Sequence, residues 1–287
     1  MKIFNLPDDI FLDKKILDSS IIIHHYTANA DSFKERSILN RNAISLVING
    51  QKTMHFAEKT VYTNDKEIHF LSAANCIASM DISRNKIFES ILIFFDDKEL
   101  TDFYISNSAF IDKVSNSHKL PAQPYIAFEK DNFINNYILS LLLILKSSTP
   151  FSLQMKRLKL QELLLYLLEN RPAALLRFQN KKTLFDYELT IRKAVESNLS
   201  SNLTLDEIAF LCNVSTSTFK RQFKKIYDAS PNEWLLEQRM KLAAQMLTKH
   251  KEKPGEIWFK LGFETHSGFT RSFKKHFGVA PKNYAPI

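Results

Sequence analysis

Two stretches decide the fold. Phe219-Lys220-Arg221-Gln222-Phe223-Lys224-Lys225, with Pro231 six residues on, recurs as Phe269-Thr270-Arg271-Ser272-Phe273-Lys274-Lys275, with Pro281 six residues on. Phe, Arg, Phe, Lys, Lys and Pro all repeat at one offset of 50 residues, as do the aromatic pairs Tyr227/Phe277 and Trp234/Tyr284. Self-similarity at a fixed period marks a duplicated structural unit. In each copy the phenylalanines at i and i+4 share one face of a helix, which leaves the cations to the other face.

Outward from these helices, each copy reads as helix, turn, helix. Thr204-Leu205-Asp206-Glu207 is a capping box that opens a supporting helix with Ile208, Ala209 and Cys212 inside. Asn213-Val214-Ser215 is the turn, and Ser215 caps the next helix. There Phe219, Phe223 and Ile226 point inward, and Ser217, Lys220, Arg221 and Lys224 share the outer face. In the second copy Glu256 to Leu261 is the expected supporting helix, with Gly262 and Phe263 in the turn. Gly262 suits a left-handed position, where a β-carbon is strained. Phe269 and Phe273 anchor the second outer helix, and His266, Ser267, Thr270, Arg271 and Lys274 face outward. A connecting helix opens at Ser230-Pro231-Asn232-Glu233, with cap, proline and acid in the favoured order. Trp234, Leu235, Leu242, Ala243, Met246 and Leu247 form its apolar face.

A short helix with a small polar and cationic outer face suits the major groove of DNA. Arg makes bidentate contacts to guanine, Lys reaches a base acceptor or a phosphate, and Ser permits close approach. The plainer alternative is an all-α interaction domain with a basic surface. Core packing, however, gives no reason for Arg221/Arg271 and Lys224/Lys274 to repeat. The formal charge is +8 over 287 residues, and its placement matters more than its size. From Glu188 onward there are 16 Lys+Arg against 10 Asp+Glu, and before it 23 against 21. Two such helices on one stiff connector are expected to enter successive major grooves, about 34 Å apart.

Residues 188–287 resemble the DNA-binding domain of the AraC/XylS family of bacterial transcription regulators. The resemblance is carried by Leu205-Asp206-Glu207-Ile208-Ala209, Val214-Ser215, the two repeated stretches, Arg239 with Leu242-Ala243, Leu261-Gly262-Phe263, Phe277-Gly278, and Pro281 with Tyr284. Two positions depart from the family pattern: Ile257-Trp258 stands for the usual Ile-Ala pair, and Ala285 for a closing Arg. The resemblance implies base reading by Ser217, Lys220 and Arg221 in the first unit and by His266, Ser267, Thr270 and Arg271 in the second. Lys224 and Lys274 complete the expected DNA-binding set. It further implies an N-terminal regulatory domain, often a cupin-like barrel followed by dimerising helices; activation of transcription is expected ahead of repression, and the sequence does not decide between them. The expected partners are double-stranded promoter DNA, RNA polymerase, a second copy of the chain, and a small-molecule or protein effector.

The first 187 residues fit that arrangement in class. Between 20 and 96 the runs are strand-like: Ile21-Ile22-Ile23 before a polar stretch, Ile44 to Ile48, Gln51 to Phe56, Thr60-Val61-Tyr62, Ile68 to Leu71, and Ser90 to Phe95. Asn49-Gly50 between two of them predicts a two-residue hairpin. Together they predict a small antiparallel barrel or sandwich. After Asp96 the period lengthens: Leu139, Leu142, Leu143 and Leu145, then Leu158, Leu160, Leu163, Leu164, Leu167 and Leu168, have helical spacing around a break at Ser147-Ser148-Thr149-Pro150. The second helix is leucine-rich on two faces, which fits either packing on its own domain with one side and on a partner with the other, or a plain core helix. The expected fold is α+β with two domains. Residues 1–176 are regulatory, with a barrel over 20–110 and helices over 124–172; residues 177–187 are a linker, and 188–287 bind DNA.

Other chemistry finds little foothold. The longest apolar run, Tyr137 to Leu145, stops at Lys146, short of a membrane span. Asp8, Asp9 and Asp13 interrupt any signal-peptide core, so a cytoplasmic location without membrane attachment is expected. Cys76 and Cys212 lie far apart in the chain and read as two reduced thiols. His24-His25, with His55, His69 and Glu67, raises a metal-dependent cupin enzyme, but neighbouring histidines on a strand point to opposite faces. No GxGxxG, P-loop, GxSxG or HExxH occurs. No catalytic residue, metal or cofactor is therefore expected. Three hypotheses stand: an effector-responsive regulator, a regulator controlled by a protein partner or by abundance, and a metalloenzyme fused to a DNA-binding module. A large apolar pocket with a few polar groups would favour the first, and a filled barrel the second.

Overall fold

The computed structural model describes residues 2–11, 13–82, 87–114, 123–147, 151–178, 187–201, 203–250 and 252–284. The chain forms two compact units: Met1–Met54 with Val61–Thr183, and His55–Thr60 with Leu184–Ile287. The expected linker over 177–187 falls largely outside the described residues.

The N-terminal unit contains β1 (Ile3–Leu6), α1 (Lys14–Leu17), β2 (Ile21–Ala28), β3 (Ser32–Leu39), β4 (Asn42–Asn49), β5 (Gln51–His55), β6 (Thr60–Thr63), β7 (Glu67–Leu71), β8 (Asn75–Asp81) and β9 (Phe88–Phe95). These are followed by α2 (Asp97–Ser106), α3 (Ser108–Val114), β10 (Tyr125–Glu129), α4 (Asn132–Leu145), α5 (Leu153–Asn170) and α6 (Pro172–Leu175). The strands form two five-stranded sheets, ordered β1-β3-β8-β5-β6 and β10-β7-β4-β9-β2. The result is a sandwich, with one parallel pair, β1 on β3, among the registered antiparallel ones.

The Asn-Gly hairpin predicted from sequence does not form. Asn49-Gly50 is instead the corner at which the chain leaves one sheet for the other. Both edges of β4 are already paired, by β7 and β9, so β5 has no edge to join. Gly50 still needs its glycine: φ is 87°, and a β-carbon there would lie 2.9 Å from the Phe88 ring. Strands β3 and β8 were not foreseen, because Ser32–Leu39 reads as polar and Asn75–Asp81 breaks its alternation. The region after Asp96 also holds a strand, β10, within the span expected to be helical, and α2 and α3 lie where the barrel was expected to run on.

Strand β9 shows how the unit is layered. Ile91, Ile93 and Phe95 join Ile44, Leu46, Ile68 and Phe70 in a core with α4 and α5, to which α2 adds Leu100 and Phe103. The alternate residues Ser90, Leu92 and Phe94 face the other way, towards the second sheet. Helix α5 buries Leu160, Leu163, Leu164, Leu167 and Leu168 in that core. Its other side leaves Leu158 53% exposed, and α4 leaves Leu143 73% exposed, so both helices present apolar surface to solvent.

The second unit contains α7 (Tyr187–Ser197), α8 (Leu205–Leu211), α9 (Thr216–Tyr227), α10 (Pro231–Thr248), α11 (Pro254–Ile257) and α12 (His266–Phe277). The caps read from sequence are present. Thr204 and Glu207 form the reciprocal capping box, Ser215 Oγ accepts from Thr218 N, and Ser230 Oγ accepts from Glu233 N. The second supporting helix departs from expectation: α11 is a single turn that starts at Pro254 and is followed by turns as far as Gly262. Lys253 offers no side-chain cap, and Gly255 within so short a helix weakens it further.

Candidate nucleic-acid interface

The two copies are congruent in their packing. Ring centroids of Phe219 and Phe223 are 5.7 Å apart, and those of Phe269 and Phe273 also 5.7 Å. Phe223 lies 4.5 Å from Tyr227, and Phe273 lies 4.7 Å from Phe277. Trp234 closes the first cluster edge-on at 5.7 Å from Phe223, and Tyr284 closes the second edge-on at 5.2 Å from Phe273. Both outer helices end on a left-handed residue, Asp228 and Gly278, whose N–H returns to the carbonyl of Lys224 or Lys274.

The turns differ by one residue. Asn213 (φ 55°) and Gly262 (φ 73°) take the same left-handed place, 49 residues apart. Val214 N donates to Ala209 O and Phe263 N to Trp258 O, both at 3.1 Å, which confirms that register. The caps Ser215 and Thr265 are then 50 apart, because Glu264 is an extra residue in the second turn. Trp258 therefore occupies the place of Ala209, half-buried where Ala209 is buried.

With Phe219 and Phe223 fully buried, α9 turns Ser217, Lys220, Arg221 and Lys224 to solvent, and all four are exposed. Helix α12 exposes His266, Ser267, Arg271 and Lys274 in the same way. Thr270 differs from the expectation that it faces outward: it is half-buried, and its Oγ1 has no hydrogen-bond partner among the described residues. Among the described residues no salt bridge engages Lys220, Arg221, Lys224, Arg271 or Lys274. Lys224 and Lys274 lie in the last turn, where cations also complement the helix dipole. Arg221 and Arg271 sit nearer mid-helix, so the dipole gives no reason for them.

Rigidity comes from three ties. Thr216 Oγ1 donates to Asp206 Oδ1 at 2.6 Å and fixes α9 on α8. Arg239 on α10 donates to the carbonyls of Leu199 and Ser201, at 3.1 Å each. Met240, Ala243, Ile257, Leu261, Phe269 and Phe273 form the core of the second copy. Sequence reading left Arg239 without a role and missed Met240, because an apolar residue off the main stripe gives no periodic signal.

With this geometry the family comparison is direct. Residues 208–286 match the helix-turn-helix domain family, and residues 42–178 match the ExsA N-terminal regulatory domain. The chain carries an AraC-type helix-turn-helix domain, and its relatives are AraC-family regulators. It is 27% identical over 191 residues to the thermoregulatory protein LcrF of Yersinia pestis, covering 63% of this chain and 66% of that protein. It is 26% identical over 267 residues to the transcriptional activator CsvR of Escherichia coli, covering 78% of this chain and 96% of that one. The match to LcrF thus spans just under two thirds of that relative. A solved structure of ToxT from Vibrio cholerae is 14% identical, covers 92% of this chain and 97% of its own, and has a TM-score of 0.38.

The N-terminal unit holds a feature that the sequence does not show. Between its sheets lies a cavity of about 570 Å³, walled by apolar side chains such as Leu39, Met54, Leu71, Leu92 and Phe94. Ser37, Ser45 and Ser90 supply hydroxyls to the lining. Ser90 is 1% exposed, and its Oγ has no partner among the described residues. The adjacent histidines both border the cavity but have different partners. His24 meets Phe11 edge-on at 5.0 Å, and His25 Nε2 lies 2.7 Å from Glu89 Oε1. No group of three or more His, Cys, Asp or Glu side chains that could hold a metal occurs among the described residues. Cys76 and Cys212 are free and buried, and burial pushes their thiols up to about 11 and about 12. No described helix is long and apolar enough to cross a membrane.

Proposed function

We propose that the chain is a sequence-specific DNA-binding activator of transcription. The carrying observation is the duplicated helix-turn-helix, congruent in its core and bearing exposed cations at matching positions of α9 and α12. Base reading falls to Ser217, Lys220 and Arg221 in the first unit and to His266, Ser267, Thr270 and Arg271 in the second. Lys224 and Lys274 hold phosphates. The name of CsvR as a transcriptional activator supports activation over repression. In this reading residues 1–176 regulate, 188–287 bind DNA, RNA polymerase is the downstream partner, and the protein is non-catalytic and cytoplasmic. A homodimer forms through the apolar faces that α4 and α5 leave exposed.

Mapping genomic binding sites supplies the promoter for the test. At a specific site Arg221→Ala and Arg271→Ala should each cost roughly 1–3 kcal/mol and relax the preference at one base position. Wild-type binding by both variants in a salt-controlled shift assay would overturn the residue assignment.

The cavity favours an effector-responsive regulator over one controlled through a filled N-terminal domain. Its volume is that of a small-molecule site, and it combines apolar walls with a few convergent polar groups. A buried hydroxyl without a partner is costly unless something completes its hydrogen bond.

A further inference from the structure

The ionisable groups on the cavity wall narrow the ligand class. Lys52 and Glu35 carry opposite charges. Asp9 already accepts from Asn5 N at 2.6 Å, and His25 is paired with Glu89. Burial holds His24 below its ordinary value, which keeps it neutral. The wall carries charges of both signs and so selects neither an anion nor a cation as a whole, while burying a net charge among its apolar side chains costs hydration. An uncharged, mainly apolar molecule loses little, and a single polar group on it would complete the hydrogen bond that Ser90 lacks.

Strand β5 connects this cavity to the DNA-binding unit. Lys52 and Met54, two residues apart and so on one face, line the cavity. The chain then runs directly into residues 55–60, which belong to the second compact unit. Within that unit the segment is a tight turn, with Phe56 N donating to Lys59 O at 3.0 Å. It is held along its backbone. Asn198 Nδ2 donates to Phe56 O at 3.2 Å, Ser197 Oγ donates to Glu58 O at 2.6 Å, and Lys193 Nζ lies 3.6 Å from Glu58 Oε1. Phe56 is fully buried. A strand that lines the cavity thus continues directly into a segment of the unit that holds α9 and α12.

We propose that the inter-sheet cavity takes an uncharged, mainly apolar ligand with a hydrogen-bonding group, and that β5 carries its occupancy to α7 through residues 55–60. This rests on the effector reading above. A displacement of Met54 by ligand moves His55, the last residue of the strand, and Phe56 just beyond it, and α7 feels it through the Phe56 and Glu58 carbonyls.

The test uses the full chain, a promoter fragment selected by the protein, and N-phenyl-1-naphthylamine, an uncharged aromatic dye with one N–H that fluoresces in apolar surroundings. The dye should bind, and Ser90→Phe, which fills the cavity, should weaken it at least about tenfold. Dye should change DNA affinity by about fivefold or more, and DNA should change dye affinity by the same factor, as linkage requires. In the double variant Lys193→Ala/Ser197→Ala, and separately in Asn198→Ala, each affinity measured alone should stay within about twofold while the linkage factor falls towards one. The double variant decides if Asn198→Ala fails to fold. An unchanged linkage factor in the double variant, or dye binding in the wild type with no linkage, overturns the β5 route and leaves the effector reading standing. Dye that does not bind, or that ignores Ser90→Phe, overturns the effector reading and the route with it.

Discussion

Single residues fix the turns and one buried ion pair. At the left-handed turn position the first copy uses Asn213 and the second Gly262. Gly262→Ala should cost about 1–2 kcal/mol, the penalty of a β-carbon in left-handed backbone, while Asn213→Gly should be close to neutral; thermal melts of the two variants give the comparison. Glu99 is buried on α2, accepts from Arg157 Nε at 2.9 Å and Nη2 at 2.7 Å, and accepts from Ser20 Oγ at 2.6 Å. The Arg157 hydrogen bonds hold its carboxyl below the usual range, outweighing the opposing effect of burial. A carboxylate depressed in the folded state stabilises fully above its unfolded value and loses that contribution as pH falls through the folded value. Glu99→Gln should therefore cost about 1–3 kcal/mol at neutral pH. The gap from wild type should narrow below pH about 4, as read by urea denaturation across pH.

At the scale of elements, helices were far more legible than strands. The 3.6-residue period of Phe219/Phe223 and Phe269/Phe273, with caps at Ser215 and Ser230, marks α9, α10 and α12 in the sequence itself. Helix α11 was less legible, since Lys253 does not cap and Trp258 stands where the first copy has Ala209. Strand β3 lacks a clear two-residue alternation because it is polar and mostly half-buried, and β8 lacks it because Cys76, Ile77 and Ala78 are buried in succession. Helices α4 and α5 carry a testable surplus of apolar surface at Leu139, Leu143 and Leu158. Replacing Leu143 and Leu158 by Asp should leave the circular dichroism unchanged and convert dimer to monomer in sedimentation velocity. A double variant that sediments like wild type would remove these helices from the interface.

At the scale of the whole molecule, the proposed binding to DNA would draw much of its affinity from electrostatics. Neutralising Z phosphates makes log K fall with log salt at a slope of about −0.9Z. Lys224→Ala should weaken specific and random duplexes alike and reduce that slope by about one, whereas Arg221→Ala should weaken mainly the specific site. Fluorescence anisotropy over a salt series separates the two behaviours.

The sequence alone determined the duplication, the helix caps, the cationic outer faces and the family, because all of these are local patterns whose physics acts within a dozen residues. Sheet membership was decided only in three dimensions. Asn49-Gly50 has every local mark of a hairpin, yet β4 is flanked by β7 and β9, so the turn becomes a corner between sheets. The cavity behind Ser90, and the passage of β5 into the unit that holds α9 and α12, are likewise properties of strands distant in sequence. The two helix-turn-helix copies could be counted in the sequence, but which strands wall the cavity depends on what the tertiary structure brings together.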